Sequence, residues 1–219
     1  GPAMAAMGLG ISHILSVAHS VGASEWSVIR VPAATPATLP LIALGACVLV
    51  LARSQLAVSG LLLLVAGGFA WWTTPRPALL VSADGRMLGL LGEEGRALSA
   101  ARGNGFAAKI WLENDGSRPD QREAFSRAAF REDGPVLRGT LDAAFEVAWT
   151  RQKTLGADIC ESDVVVVAPA AEDRPPGGCV YLGPVELKAG GAHAFRVQRD
   201  GTLVVDTVLD PSIKRPWGH

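Results

Sequence analysis

The groups in this chain that could do chemistry are few and widely spaced. Its four histidines are His13, His19, His193 and His219. A hydrolytic metal centre needs several imidazoles and carboxylates converging on one ion. His13 and His19 are six residues apart and do not stack on one helical edge, so they are read as polar-face side chains. His193, in Gly191-Ala-His-Ala, stands at the entrance to a strand whose neighbours offer no second imidazole. His219 is the last residue. Asp115, Asp120, Glu123 and Glu132 could be drawn together as a carboxylate cluster, but they fit better as the solvated faces and ends of two helices. There is no Gly-x-Ser-x-Gly, Walker loop or Cys-x-x-Cys. The glycine turn Ala101-Arg102-Gly103-Asn104-Gly105 precedes a helix but lacks the Lys-Ser/Thr pair of a phosphate cradle. No catalytic, cofactor-binding or metal-binding residue is assigned. No cofactor and no enzymatic activity are expected.

Three cysteines remain. Cys47 lies in an apolar run and is read as a small packing residue. Cys160 and Cys179 bracket the run Val164 to Val167 and the loop Pro169 to Gly178. A strand out and a loop back can bring two such positions together as a disulfide. The alternative is two unrelated buried thiols. The pairing is adopted together with an oxidising compartment.

The elements that would carry these groups fall into two compositions. Arg30, Arg53 and Glu25 are the charged side chains of the first 75 residues; the remainder holds 18 cations against 20 acids, a net of −2. That balance does not suggest nucleic acid bound over its general surface. Ala33 to Ala52 and Ser54 to Thr74 are apolar runs of 20 and 21 residues. Each is long enough, at about 1.5 Å per residue, to cross a hydrocarbon core of roughly 30 Å. The expectation is therefore a membrane α-helical hairpin turning at Arg53-Ser54-Gln55. Pro36 and Pro40 weaken its first span, and Trp71-Trp72 mark the headgroup end of the second. An amphipathic helix over residues 8–21 precedes it, with Ile11, Ile14, Leu15, Val17 and Val21 on one arc and Ser12, His13, Ser16, His19 and Ser20 opposite. Residues 1–75 thus read as a membrane region with spans at about 33–52 and 54–74, and 76–219 as a small mixed α/β soluble domain. In that domain strands are expected at Ala78 to Ser82, Arg86 to Leu91, Ala97 to Ser99, Phe145 to Thr150, Asp163 to Val167, Val180 to Gly183, His193 to Gln198 and Leu203 to Val208. Helices are expected at Phe106 to Leu112, with Phe106, Ile110 and Trp111 inward, and at Arg118 to Arg131 from Pro119.

Several short segments resemble one family in its own order. Met7-Gly-Leu-Gly-Ile-Ser-His-Ile-Leu-Ser-Val-Ala-His-Ser-Val21 is similar to the late amphipathic helix of ComEC-type competence proteins, the DNA-internalisation channels of natural transformation. Pro77-Ala-Leu-Leu-Val-Ser-Ala-Asp-Gly-Arg86, Arg96-Ala-Leu-Ser99, the Phe106 to Leu112 helix and Asp158-Ile-Cys-Glu-Ser-Asp-Val-Val-Val166 followed by Cys179 resemble their C-terminal region. So do Gly191-Ala-His-Ala-Phe195 and Arg215-Pro-Trp217. The resemblance implies the C-terminal part of an inner-membrane channel for DNA uptake, importing single-stranded DNA. The tail would stand where many members carry a metallo-β-lactamase-like domain, in a degenerate form without the His-x-His-x-Asp-His motif. Nothing transfers as a catalytic residue. The partners implied are membrane lipid, single-stranded DNA through the full channel, an upstream transmembrane core of the same protein, other DNA-uptake proteins and a homo-oligomer. The location implied is the bacterial inner membrane, multi-pass. Arg30, Arg76 and Arg86 against Arg53 would put the tail in the cytoplasm by charge bias. The cysteine pairing and an orientation set upstream favour the periplasm, which is adopted. The rival reading is an anchored extracytoplasmic binding or scaffold module unrelated to DNA; a nuclease ranks below both.

Overall fold

The computed structural model describes residues 2–23, 30–52, 55–118, 120–142, 145–198 and 200–209. Residues 1–31 form one compact unit and 32–219 the other. The first holds helix α1, Pro2–Gly22, in which Met7, Leu9, Ile11, Ile14, Leu15, Val17 and Val21 are exposed.

The second unit begins with two apolar helices, α2 (Thr38–Leu51) and α3 (Gln55–Trp72). They correct the expectation of a membrane hairpin. Among the described residues no helix is long and apolar enough to cross a membrane. At about 1.5 Å per residue, the 14 residues of α2 reach about 21 Å and the 18 of α3 about 27 Å, both short of a roughly 30 Å core. The first run loses its opening residues because the chain from Ala33 to Thr35 is not helical and Pro36 and Ala37 form a turn. The transmembrane reading fails on this finding, and the multi-pass inner-membrane location with a periplasmic tail fails with it. The intended loop at Arg53-Ser54 lies outside the described residues. α2 and α3 pack directly on one another. A Cβ on Gly60 would stand 2.6 Å from the Leu49 backbone nitrogen, and one on Gly45 2.9 Å from the Gly60 carbonyl oxygen. Small residues are what lets these backbones approach.

The fold class is accordingly a mixed α/β protein with two β-sheets and, among the described residues, six α-helices. Ten strands divide evenly between the sheets. The first sheet is antiparallel throughout, in the order β10-β9-β1-β2-β3, from β1 (Leu79–Val81), β2 (Leu88–Gly92), β3 (Gly95–Leu98), β9 (His193–Val197) and β10 (Leu203–Thr207). The second, in sequence order, joins β4 (Phe130–Asp133), β5 (Val136–Asp142), β6 (Phe145–Thr150), β7 (Val164–Val167) and β8 (Val180–Leu182). Its β4-β5-β6 part is antiparallel and its β6-β7-β8 part parallel. The main core lies between the sheets. Leu79, Val81, Leu88, Leu90 and Phe195 meet Leu141, Val147, Val165, Val167 and Leu182. At Gly139 the approach is so close that a Cβ would fall 2.8 Å from the Leu90 side chain. The four valines of β7 are buried on both faces, as an unalternating β-branched run requires.

Helices cover the outer face of the antiparallel sheet. In α4 (Gly105–Asn114) the inward residues are Ala108 and Leu112, joined by half-buried Trp111, while Phe106 is 82% exposed. The small Ala108 permits the close seat that larger side chains were expected to fill. The helix expected over 118–131 is shorter, α5 (Gln121–Phe125); its start is set by Asp120, whose Oδ1 accepts from the Arg122 and Glu123 amides at 2.9 and 3.2 Å. Pro119 lies outside the described residues. The remainder becomes β4, because Asp133-Gly134 turns it into a hairpin with β5, with Gly134 at φ 58°. A sixth helix, α6 (Pro184–Gly190), was not expected. Its start is tied by the Glu186 carboxylate, which accepts from the Gly183 amide at 3.0 Å.

One buried charge ties this region together. Arg96 on β3 is 1% exposed and ion-paired through two nitrogens with Asp115, just past α4. It also donates to the Gly89 carbonyl at 2.9 Å and the Pro77 carbonyl at 3.1 Å. Breaking a buried pair from one side leaves a buried charge unanswered, which costs about 3–5 kcal/mol. Asp115→Ala should therefore lower the free energy of unfolding by about that amount, read from the urea midpoint. An unchanged midpoint would show that water reaches the guanidinium.

Candidate functional site

The carboxyl ends of parallel strands are where open α/β sheets tend to receive ligands, since the strand-to-crossover loops gather there. Here the ends of β6, β7 and β8 meet the β1–β2 turn of the other sheet. That turn is built by Asp84, whose Oδ1 accepts from the Ser82 hydroxyl at 2.6 Å, the Arg86 amide at 3.1 Å and the Asn104 side-chain amide at 2.8 Å. Burial works to raise its pKa, but these hydrogen bonds prevail and hold it below the usual carboxylate value. Ser82 Oγ in turn accepts from the Met87 amide at 3.0 Å. Asn104, in the glycine turn before α4, sits at φ 49° and turns its side-chain amide onto Asp84. Gly85 is wedged against Leu187 and Pro169, where any side chain would collide.

Across from this turn, at the end of β6, Trp149 donates its indole N–H to the Gly85 carbonyl at 2.7 Å. Arg151, two residues on, lies over the same ring, its guanidinium carbon 5.0 Å from the ring centre. Arg86 projects from the turn with its side chain 76% exposed and 4.0 Å from Asp84. Among the described residues Arg151 makes no ion pair, and the neighbouring Lys153 is taken by Glu172 at 3.0 Å. The result is a basic mouth between the two sheets, its indole partly buried against the main core. A hollow of about 170 Å³ lies over β4 and β5, lined by Phe130, Arg131, Arg138, Thr140 and Glu146 among others. There Arg138 is held between Asp133 at 3.2 Å and Glu146 at 3.9 Å, so most of its charge is answered from within.

Cys160 and Cys179 are joined by a disulfide with their Cα atoms 4.9 Å apart. It connects the β6–β7 and β7–β8 crossovers on the outer face of the second sheet, beside Ile159, Val164, Val166 and Tyr181. Cys47 is exposed on α2, not a packing residue. The carboxylates at 115, 120, 123 and 132 are not gathered. Asp115 is buried with Arg96, Asp120 caps α5, and Glu123 faces Arg127 at 3.4 Å. Among the described residues no group of three or more His, Cys, Asp or Glu side chains is placed to hold a metal. His13 and His19 lie exposed on α1, with His19 Nδ1 2.8 Å from the Leu15 carbonyl. His219 and the motif at 215–217 lie outside the described residues. His193 is buried, its Nδ1 2.9 Å from the Gly191 carbonyl and its ring packed so closely on Gly190 that a Cβ there would meet Nε2 at 2.6 Å. The mouth itself escaped the sequence reading, since Arg86, Trp149 and Arg151 are brought together only by the packing of two sheets.

Fold and site together define a two-sheet α/β protein with covalently joined crossovers and a basic mouth. No family model, curated protein or solved structure matches the chain. The ComEC-type resemblance therefore stands on the residues quoted for it.

Two measurements follow from this geometry. Burial depresses the pKa of His193 below its ordinary 6.5, with the Gly191 contact acting weakly against it. A histidine depressed in the folded state contributes stability that is complete above the unfolded value and is lost as pH falls from about 6.5 toward the folded value. The urea midpoint should thus drop between pH 7.5 and 5.5, and the drop should shrink in His193→Gln. An equal drop in both proteins would assign it elsewhere. Cys160 and Cys179 are 19 residues apart in sequence. Closing a ring of that size restricts the unfolded chain by roughly 3 kcal/mol, so Cys179→Ser should lose about that much stability, and reducing agent should have no further effect on it.

Proposed function

We propose that residues 32–209 act as a non-catalytic binding module serving a DNA-uptake protein of the kind the resemblance implies. The observation that supports this reading is how the reactive side chains are employed. Asp84 builds a turn, Asp120 caps a helix, Asp115 answers Arg96, and His193 is packed into a strand entrance. A hydrolase keeps such groups convergent and open to substrate. Here each is tied to backbone or to a structural partner, and what faces outward at the sheet ends is cationic.

The test uses the full chain. Incubated with labelled single- and double-stranded DNA and magnesium, manganese or zinc, it should leave both intact while retaining the single strand in a filter-binding assay. Metal-dependent cleavage that persists through further purification and disappears on replacing one acidic residue would establish a nuclease instead. Intact DNA with no retention would favour the reading as a scaffold unrelated to DNA, to which the chain's net charge of −1 is better suited.

A further inference from the structure

We infer that the mouth formed by Arg86, Trp149 and Arg151 is the surface that receives a single nucleic-acid strand, its phosphates on the two guanidiniums and a base stacked on the outer face of the Arg151 guanidinium that covers the partly buried indole. This inference rests on the DNA-handling reading above and gives it a location.

Three observations converge. First, both cations have bonding capacity to spare. The Asp84 oxygen nearest the turn is already filled by Ser82, the Arg86 amide and Asn104, and the other is 4.0 Å from the Arg86 side chain, beyond hydrogen-bonding distance. Arg151 contacts a ring and, among the described residues, no carboxylate. Second, the platform is rigid. Trp149 is locked by its 2.7 Å hydrogen bond to Gly85, the residue that leads into Arg86, so the ring and both arginines are referred to one turn. Third, the chemistry fits the ligand. A guanidinium offers a planar fork to phosphate oxygens, and its flat face, held here over the indole, stacks on a base without reading its edge. A duplex hides its base faces, so the mouth discriminates in favour of single strands.

The hollow over β4 and β5 is a weaker candidate for the same role. Phe130 and Arg131 line it, but its other cation, Arg138, is already flanked by Asp133 and Glu146.

The experiment measures binding of a fluorescent oligothymidylate to the intact chain by anisotropy, over a series of salt concentrations. Arg86→Gln/Arg151→Gln is compared with the native chain, and Lys109→Gln, on the exposed side of α4, is the control. Two phosphate contacts to a single strand correspond to a slope of log K against log salt of about −1.4. The double variant should bind at least tenfold more weakly, with a slope shallower by about that amount and unchanged thermal unfolding. Lys109→Gln should match the native chain. If the double variant binds like the native chain, the mouth is not the surface, while the DNA-handling reading survives. If the native chain shows no saturable binding, or binds pyrophosphate but no oligonucleotide, both fall.

Discussion

The Arg96 side chain is buried at 1% exposure, and three separate segments are needed to answer its guanidinium. Asp115 supplies the countercharge, while the Gly89 and Pro77 carbonyls take the remaining donors. These contacts fix β3 to β2, bring the end of α4 down onto the sheet, and hold the chain that leads into β1. Gly89 has no side chain because the arginine stem and the Trp111 ring occupy that space. Arg127 then donates to the Arg96 carbonyl at 2.8 Å, bringing in the turn after α5. Next to Asp115, the Asn114 carbonyl accepts from the Ala33 amide at 2.7 Å, and Trp71 of α3 donates to the Pro32 carbonyl at 2.8 Å. The apolar helix pair is thus tied to the α/β part beside this same charge. Little of this is replaceable piecemeal, because a buried ion is tolerated only when all its donors are satisfied together.

The second sheet solves a different problem. Parallel strands need long crossovers, and these are usually helical, with the helix covering the sheet face. The connections from β6 to β7 and from β7 to β8 carry no α-helix; the first holds a single 3₁₀ turn, Ala157–Ile159. Irregular chain covers a sheet poorly because its own polar groups need partners. The disulfide compensates by pinning both connections to the same patch, with Ile159, Ala171 and Tyr181 filling in beneath. The opposite face is free to pack on the antiparallel sheet. The ends of the strands are then left to Trp149, Arg151 and the Asp84 turn.

What could be seen in the sequence was local. The four valines of β7, the Asp84-Gly85 and Asp200-Gly201 turns and the Phe145 to Thr150 strand are each specified within a few residues. Asp133-Gly134 is the same kind of signal, and it went unused because Phe125, Ala128 and Ala129 suggested a continuing helix. The opening of α6, Gly183-Pro184-Val185-Glu186, is also a local signature, in a stretch between two expected strands for which no element was expected. The apolar runs showed where charge is missing but not how much of each run coils, and the turn at Pro36 shortened the first. The ion pair of Arg96 with Asp115 and the hydrogen bond of Trp149 to Gly85 arise across 19 and 64 positions of sequence. Spacing carries no trace of such pairs, because the packing of sheets and helices creates them.

The bond between Cys160 and Cys179 closes a ring of chain with β7 inside it. Consider the molecule drawn out from its two ends, as a motor would draw it. The segment between the cysteines would not enter the line of tension, and the extended chain would fall short by about 65 Å. Force would bypass this strand, which pairs in parallel with both β6 and β8, and run through the covalent bridge. The most deeply buried strand would therefore also be the one never pulled directly, and a protein handled mechanically would keep a closed loop around its own centre.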